Sequence, residues 1–190
     1  MRFVLLVLIS LCYQFTSAQI MFNNPSFEDE PADATVPMGW FACERGTTPD
    51  ILPGPWGVDL EAEEGETFVG LITRIDGTFE SIGQRLSTPL EADNCYTFFL
   101  SAASCDTYSG FNGRISFRIY AGNRKCKKSQ ILYSSKPLEN KDWEVHKIEF
   151  TPEKKLKYIT IEAFHSDTNN PIKGHILIDN ITSITPCSKV

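Results

Sequence analysis

The chain has 190 residues, with 18 Lys and Arg against 24 Asp and Glu, a formal net charge of −6 and 42% hydrophobic residues. That acidic balance argues against nucleic acid or an anionic membrane as the principal partner. The length suits one well-buried core and is short for two domains.

Met1 and Arg2 form a short positive start, and residues 3–11 are an apolar run too short to cross a bilayer. Thr16, Ser17 and Ala18 supply the small side chains that a signal peptidase prefers, so cleavage is expected after Ala18. A lipid anchor on Cys12 is disfavoured by the bulky Leu11 before it. The expected organisation is a signal peptide, residues 1–18, and a single β-sandwich domain, residues 19–190. Such a chain is secreted or held at the cell surface or in the periplasm, without membrane insertion.

Beyond the leader, short apolar or alternating runs are separated by Gly, Pro, Asn and Asp clusters. These runs predict strands at 20–27, 38–42, 67–73, 80–86, 95–103, 114–120, 131–134, 143–151, 158–165 and 175–184. In 114–120, Ile115, Phe117 and Ile119 face one way while Arg114, Ser116, Arg118 and Tyr120 face the other. The 95–103 run is apolar or small on both faces and reads as a buried central strand. In 143–151, Trp143 and Val145 are out of phase with Ile148 and Phe150, which predicts a bulge near His146 and Lys147. Residues 61–66 could form one helical turn but read better as a solvated loop, and no window supports a longer helix. The class is all-β: a two-sheet antiparallel sandwich of jelly-roll type.

Cys43, Cys95, Cys105, Cys126 and Cys187 follow the leader, an odd number in a chain expected to be exported. Cys95 with Cys187 is the favoured disulfide because it ties the start of the central strand to the end of the chain. Cys105 with Cys126 is the second expectation, and Cys43 has no assigned partner. With no CxxC and no Cys/His ladder, a zinc site is not expected. The lysines at 125, 127 and 128 and at 154, 155 and 157 flank turns and read as solvated loop charge.

The stretches NNPSFEDE, MGW, STPLEADNCYTFFLSAAS, DWEVHKIEFTP and ILIDNIT fall in an order that resembles the galactose-binding-like jelly rolls, including carbohydrate-binding modules of the family 4/9/22 type. TFVGLITRIDGTFESIGQRLSTPL with CYTFFLSAA also looks like uncharacterised exported domains of Bacteroidota. The resemblance implies the fold strongly and a ligand weakly. It also implies a structural Ca²⁺ held by Glu28 and Asp179, with the backbone of Asn24 and Ser26 nearby. Hard oxygens of this kind are what Ca²⁺ requires. Asn180 departs from the family pattern, which often places a second Asp there.

Sugar sites combine an aromatic platform with amides, acids and Arg for the hydroxyls. Trp40 and Trp143 match core positions of the family. Trp56, between Pro and Gly in PGPWGVDL, is the preferred platform, with Tyr108 and Phe111 next and Arg114, Arg118 and Tyr120 as a possible polar floor. Catalysis is not expected: Glu61, Glu63 and Glu64 crowd a polar loop, and there is no nucleophile elbow. His146, His165 and His175 show no metal-ligand spacing. The reading is an exported, non-catalytic carbohydrate-binding domain. The alternatives are a surface adhesion domain holding a protein partner and, third, a hydrolase with two acids converging in a cleft, one of raised pKa.

Overall fold

A computed structural model describes residues 19–44, 48–165, 167 and 169–188. The expected leader, residues 1–18, lies outside the described residues. In chain order the strands are β1 (Phe41–Ala42), β2 (Asp50–Leu52), β3 (Phe68–Thr73), β4 (Ser81–Leu90), β5 (Tyr96–Ala103), β6 (Gly113–Arg114), β7 (Ser116–Gly122), β8 (Gln130–Ser134), β9 (Glu144–Phe150), β10 (Leu156–Phe164), β11 (Gly174–Asp179) and β12 (Thr185–Pro186). One sheet runs β1-β4-β10-β7-β8; the other runs β12-β5-β11-β3-β2, with β9 added on β5 and β6 on β11. Only the short β6–β11 pairing is parallel among the named pairs.

Alternation along the strands builds two cores. Val69, Leu71, Phe98, Leu100, Ile176 and Ile178 point between the sheets and meet Ile82, Phe117, Ile119, Ile159 and Ile161 from the opposite layer. The intervening residues Phe68, Ile72, Ala103 and Leu177 face outward, yet they are buried with Leu52, Val58 and Tyr108 in a second, smaller core. Loops 53–66 and 104–112 supply its cover, so the seven-stranded sheet is buried on both faces over much of its area. This is why β3 and β11, buried at every position, read as continuous apolar runs.

Two sequence expectations about β-structure fail for physical reasons. Residues 20–27 form a single bridge, Ile20 with Ile184, rather than a strand. The buried Gln84 side chain takes over their pairing, accepting from Asn23 N at 2.6 Å and donating to Asn23 O and Gly39 O. The bulge at His146 and Lys147 is also absent, since β9 pairs with β5 in unbroken register from Tyr96–Phe150 to Ala102–Glu144. Val145 simply faces solvent, 60% exposed, while Trp143 precedes the strand and packs edge-on against Phe68 in the second core. Trp143 thus packs against a core as expected, the second and smaller one, while Trp40 sits in the main core.

Cys95 and Cys187 are bonded as expected, with Cα atoms 5.3 Å apart. Cys105 with Cys126 is not formed: Cys126 is bonded to Cys43, and Cys105 is the free thiol. Cys105 lies beside β11, its N–H donated to His175 Nε2, whereas Cys126 sits in the β7–β8 turn near the end of β1. That turn curls over the outer face of the five-stranded sheet. Lys128 there pairs with Glu44 at 2.7 Å and with Glu162, and lies 4.8 Å from the Phe79 ring centre. Among the described residues, no helix is long and apolar enough to cross a membrane.

Candidate functional site

The acidic opening NNPSFEDE forms a tight turn at one end of the sandwich. Asn24 closes it through its side chain, with Oδ1 accepting Glu28 N at 2.8 Å and Nδ2 donating to Glu28 O and Met38 O. Trp40 Nε1 donates to Asn24 O, and the buried Phe27 ring packs 5.0 Å from Trp40. Glu28 is thereby aimed at the 63–67 segment, where its carboxylate accepts from Glu66 N at 3.1 Å and Thr67 N at 3.3 Å.

Asp179, at the end of β11 and fully buried, reaches the same segment, accepting from Glu63 N at 2.9 Å, Glu64 N at 3.0 Å and Asn180 N at 2.7 Å. Burial pushes its pKa up to about 7, and the Glu28 charge adds to the rise against the lowering effect of those amides. The two expected metal ligands therefore meet in one corner, pressing like charges together. Ser26 Oγ contributes a further hard oxygen and donates to Glu64 Oε2 at 3.3 Å. Asn24 is different: both its side chain and its carbonyl are committed to the turn. These are hard oxygens of the kind Ca²⁺ takes, but all four carboxylate oxygens of Glu28 and Asp179 already accept backbone N–H groups. The sole grouping of three metal-capable side chains found among the described residues, Cys95, Glu149 and Cys187, contains the bonded disulfide instead.

A second acidic corner lies at the β2–β3 edge and encloses a cavity of about 260 Å³ lined by Asp33, Ala34, Thr48, Asp50, Trp56, Ile72, Arg74 and Glu80. A single 3-10 turn, Pro55–Gly57, presents Trp56 at its mouth. Trp56 has φ 57°, flanked by Gly54 at 108° and Gly57 at 77°, positive values that the two glycines adopt without a Cβ penalty. The indole is 44% exposed, its Nε1 donates to Asp33 Oδ1 at 2.9 Å, and the Phe111 ring meets it edge-on at 6.1 Å.

Inside the cavity, Asp50 accepts from Ala34 N at 2.8 Å and from the Tyr108 hydroxyl. Glu80 accepts from Ile72 N at 3.1 Å and pairs with Arg74 Nη2 at 2.6 Å. Burial raises both carboxyls, Glu80 to about 7, overcoming the lowering effect of Arg74; the Asp33 carboxylate adds to the rise at Asp50. Arg74 Nη1 is shut from solvent without a hydrogen-bond partner.

The structure divides the six ligand residues expected from the sequence. Trp56, Tyr108 and Phe111 come together, but Tyr108 is fully buried, packed 4.9 Å from His175, and serves as the support for Asp50 rather than as a platform. His175 in turn fixes the 104–112 loop, accepting from Cys105 N and contacting Phe111 O at 2.7 Å. Burial lowers its pKa, which keeps the imidazole neutral in that role.

Arg118 and Tyr120 lie on the opposite sheet: Arg118 stacks 3.5 Å over Phe164, and Tyr120 donates to Glu162 at 3.3 Å beneath Lys128. Arg114 makes an exposed pair with Glu139 at 3.3 Å. These three form no common floor with Trp56. Asp33, Asp50, Arg74 and Glu80 escaped the sequence reading. The readable signal was TRIDGTFE, a turn around Asp76 and Gly77 that bridges Thr73 to Phe79 and so brings Arg74 to Glu80.

A larger cavity, about 730 Å³, opens between β8 and β9, lined by Tyr133, Lys136, Leu138, Glu139, Glu144 and His146 among others. Its Tyr133 hydroxyl is joined to His146 Nδ1 at 3.0 Å, and the Tyr133 ring packs on Phe117. Tyr133 and His146 line it and are both half-buried.

No family model matches the sequence, and no curated protein matches it. Solved structures do. A cyclase from Fischerella sp. TAU aligns over 92% of this chain and 100% of its own, with TM-score 0.60 and 16% identity. The CBM22-1 xylan-binding domain of Paenibacillus barcinonensis Xyn10C aligns over 92% and 97%, with TM-score 0.56 and 11% identity. The K3 cleaved adhesin domain of Lys-gingipain from Porphyromonas gingivalis aligns over 88% and 99%, with TM-score 0.56 and 16% identity. At such identities the likeness shows the fold: this chain has the galactose-binding-like β-sandwich shared by carbohydrate-binding modules and cleaved adhesin domains.

Proposed function

We propose that this is an exported, non-catalytic carbohydrate-binding domain that seats a sugar ring against Trp56. The observation that carries the reading is the cavity itself: an outward indole at the mouth, and a wall that includes Asp33, Asp50, Arg74 and Glu80. An apolar platform beside convergent donors and acceptors is the chemistry of a pyranose site. Its volume, about 260 Å³, is below the range of drug-sized pockets and suits one ring, the remainder of a glycan lying outside. A xylan-binding domain among the structural neighbours supports the same class of ligand. Two disulfides agree with an oxidising compartment.

The acid pair in the cavity does not make it a hydrolase in this reading. Glu80 and Asp50 are both buried in the cavity wall, Glu80 held by Ile72 N and Arg74 and Asp50 by Ala34 N and Tyr108, rather than presented on either side of a scissile bond. A structural Ca²⁺ belongs to the proposal at the other corner, with Glu28 and Asp179 as carboxylate ligands and Ser26 beside them. The ion would neutralise the paired charges and join the two ends of the chain. Chelation is expected to lower the melting temperature of the calcium-loaded protein, and Glu28→Ala to abolish that sensitivity; a melt indifferent to chelator contradicts the calcium assignment.

The binding test is a glycan array on the folded mature chain in calcium, repeated with Trp56→Ala. Binding to a defined glycan class that the substitution removes supports the assignment. A blank array from folded protein favours the second reading, a protein-binding adhesion domain. The observation behind that reading is a small apolar patch on the outer face of β5 and β9, where Phe99 is 37% and Val145 60% exposed.

A further inference from the structure

Among the described residues β9 pairs with β5 alone, and the direction of its remaining backbone groups follows from its neighbour. Phe99 of β5 donates its N–H to Thr182 Oγ1, and its carbonyl accepts from Thr182 N, so both groups point away from β9. In an antiparallel ladder the residue opposite then turns both of its own groups outward. That residue is Lys147, and Val145 and Glu149, in phase with it on either side, do the same. Thr151 continues the phase, and its carbonyl is reached from outside by the Gln130 side chain at 2.9 Å. A row of outward N–H and C=O groups is a template for another strand unless the edge is shortened, bent or covered. The other edges are so treated. β1 and β12 have two residues each, β2 has three under the Ala32–Ile51 bridge, and β8 has five with a register shift against β7. β9 has seven residues, no proline and unbroken register with β5.

The charges on this edge complement themselves. Lys147 and Glu149 are both exposed and pair along the strand at 2.6 Å. When two such strands run antiparallel about a two-fold axis at Ile148, Lys147 of each copy stands opposite Glu149 of the other. Centring the pair on Lys147 instead sets lysine against lysine, which like-charge repulsion opposes. We infer that two copies of this chain associate edge to edge through β9, antiparallel about Ile148, and so join their seven-stranded sheets. Lys147 and Glu149 supply about four ladder hydrogen bonds as well as the two charge pairs. The contact is isologous, as a two-fold dimer requires. β2 lies at the far edge of the same sheet, so the Trp56 cavity stays open in each copy. The inference stands apart from the carbohydrate reading.

The experiment measures the mass of the folded mature chain by sedimentation equilibrium at concentrations up to about 1 mM. The parent is expected to rise from the monomer mass toward twice that value. Lys147→Glu and Glu149→Lys each set like charges across the two-fold, and each is expected to weaken association about tenfold. An equimolar mixture of these two variants is expected to recover it, because every lysine again faces a glutamate. Lys147→Pro removes an N–H that β5 does not use, so it is expected to abolish association while circular dichroism shows the fold retained. A parent that stays monomeric throughout overturns the inference. So does a dimer that survives both charge reversals, or a mixture that associates no better than its components.

Discussion

Two acidic corners of the molecule are built from similar groups and behave differently. At the Glu28–Asp179 corner, five backbone N–H groups are turned onto the carboxylates, so the acids hold a loop in place. At the Asp50–Glu80 corner, side chains do much of that work: the Tyr108 hydroxyl and Arg74 back the two acids, and a cavity is left in front of them. Backbone amides close a site around its carboxylates; side-chain partners standing behind the carboxylates leave the front open to a ligand. The first corner is therefore read as a staple and the second as a binding site.

Removing the staple is expected to have the largest effect. Asp179→Ala leaves the Glu63 and Glu64 amides without their acceptor and opens a hole at a fully buried position, so a loss of about 3 kcal/mol is expected in chemical denaturation. A variant as stable as the parent would mean that the corner holds nothing. Gly65→Ala comes next. Gly65 has φ 72°, and an added Cβ would run into the Glu28 carboxylate, which predicts destabilisation of about 2 kcal/mol together with loss of any chelator sensitivity.

The pH dependence sharpens the comparison from the other corner. Glu80 titrates at about 7 in the fold against an ordinary 4.5, so its contribution to stability is fully present below about 4.5 and lost as pH rises through about 7. Asp50 and, at the other corner, Asp179, both also raised, act in the same sense, so Glu80 accounts for part of the fall. Glu80→Gln is expected to flatten the fall in melting temperature across this window; an unchanged slope would show that Glu80 is not the titrating group. The smallest effect is expected at Arg114. Its pair with Glu139 is exposed on both sides, 61% and 74%, so Arg114→Ala should change stability by no more than about 0.5 kcal/mol and leave glycan binding alone.

The fold was legible wherever burial imposes a pattern. Residues 95–103 announced a strand because the opposite sheet covers their inner face along its length, whereas the 104–112 loop covers the outer face only near Ala103 and leaves Phe99 37% exposed. Residues 20–27 misled because an apolar run looks the same whether its partner is a strand or the Gln84 side chain. Trp56 was legible as an outward platform because Gly and Pro on either side deny it a strand or a helix to pack under. Tyr108 was not, since nothing local reveals that its loop folds back over β3 and β11. The acids of the cavity were hidden for a similar reason: Asp50 sits in a three-residue strand too short to register, and the meeting of Asp33 with Asp50 depends on the Ala32–Ile51 bridge.

The most direct test of the central claim compares glycan binding by the parent chain and Trp56→Ala, with Arg118→Ala as the control on the opposite sheet. The expected result is binding to a defined glycan that Trp56→Ala abolishes and Arg118→Ala preserves. Loss with Arg118→Ala and retention with Trp56→Ala would contradict the account and move the site to the five-stranded sheet.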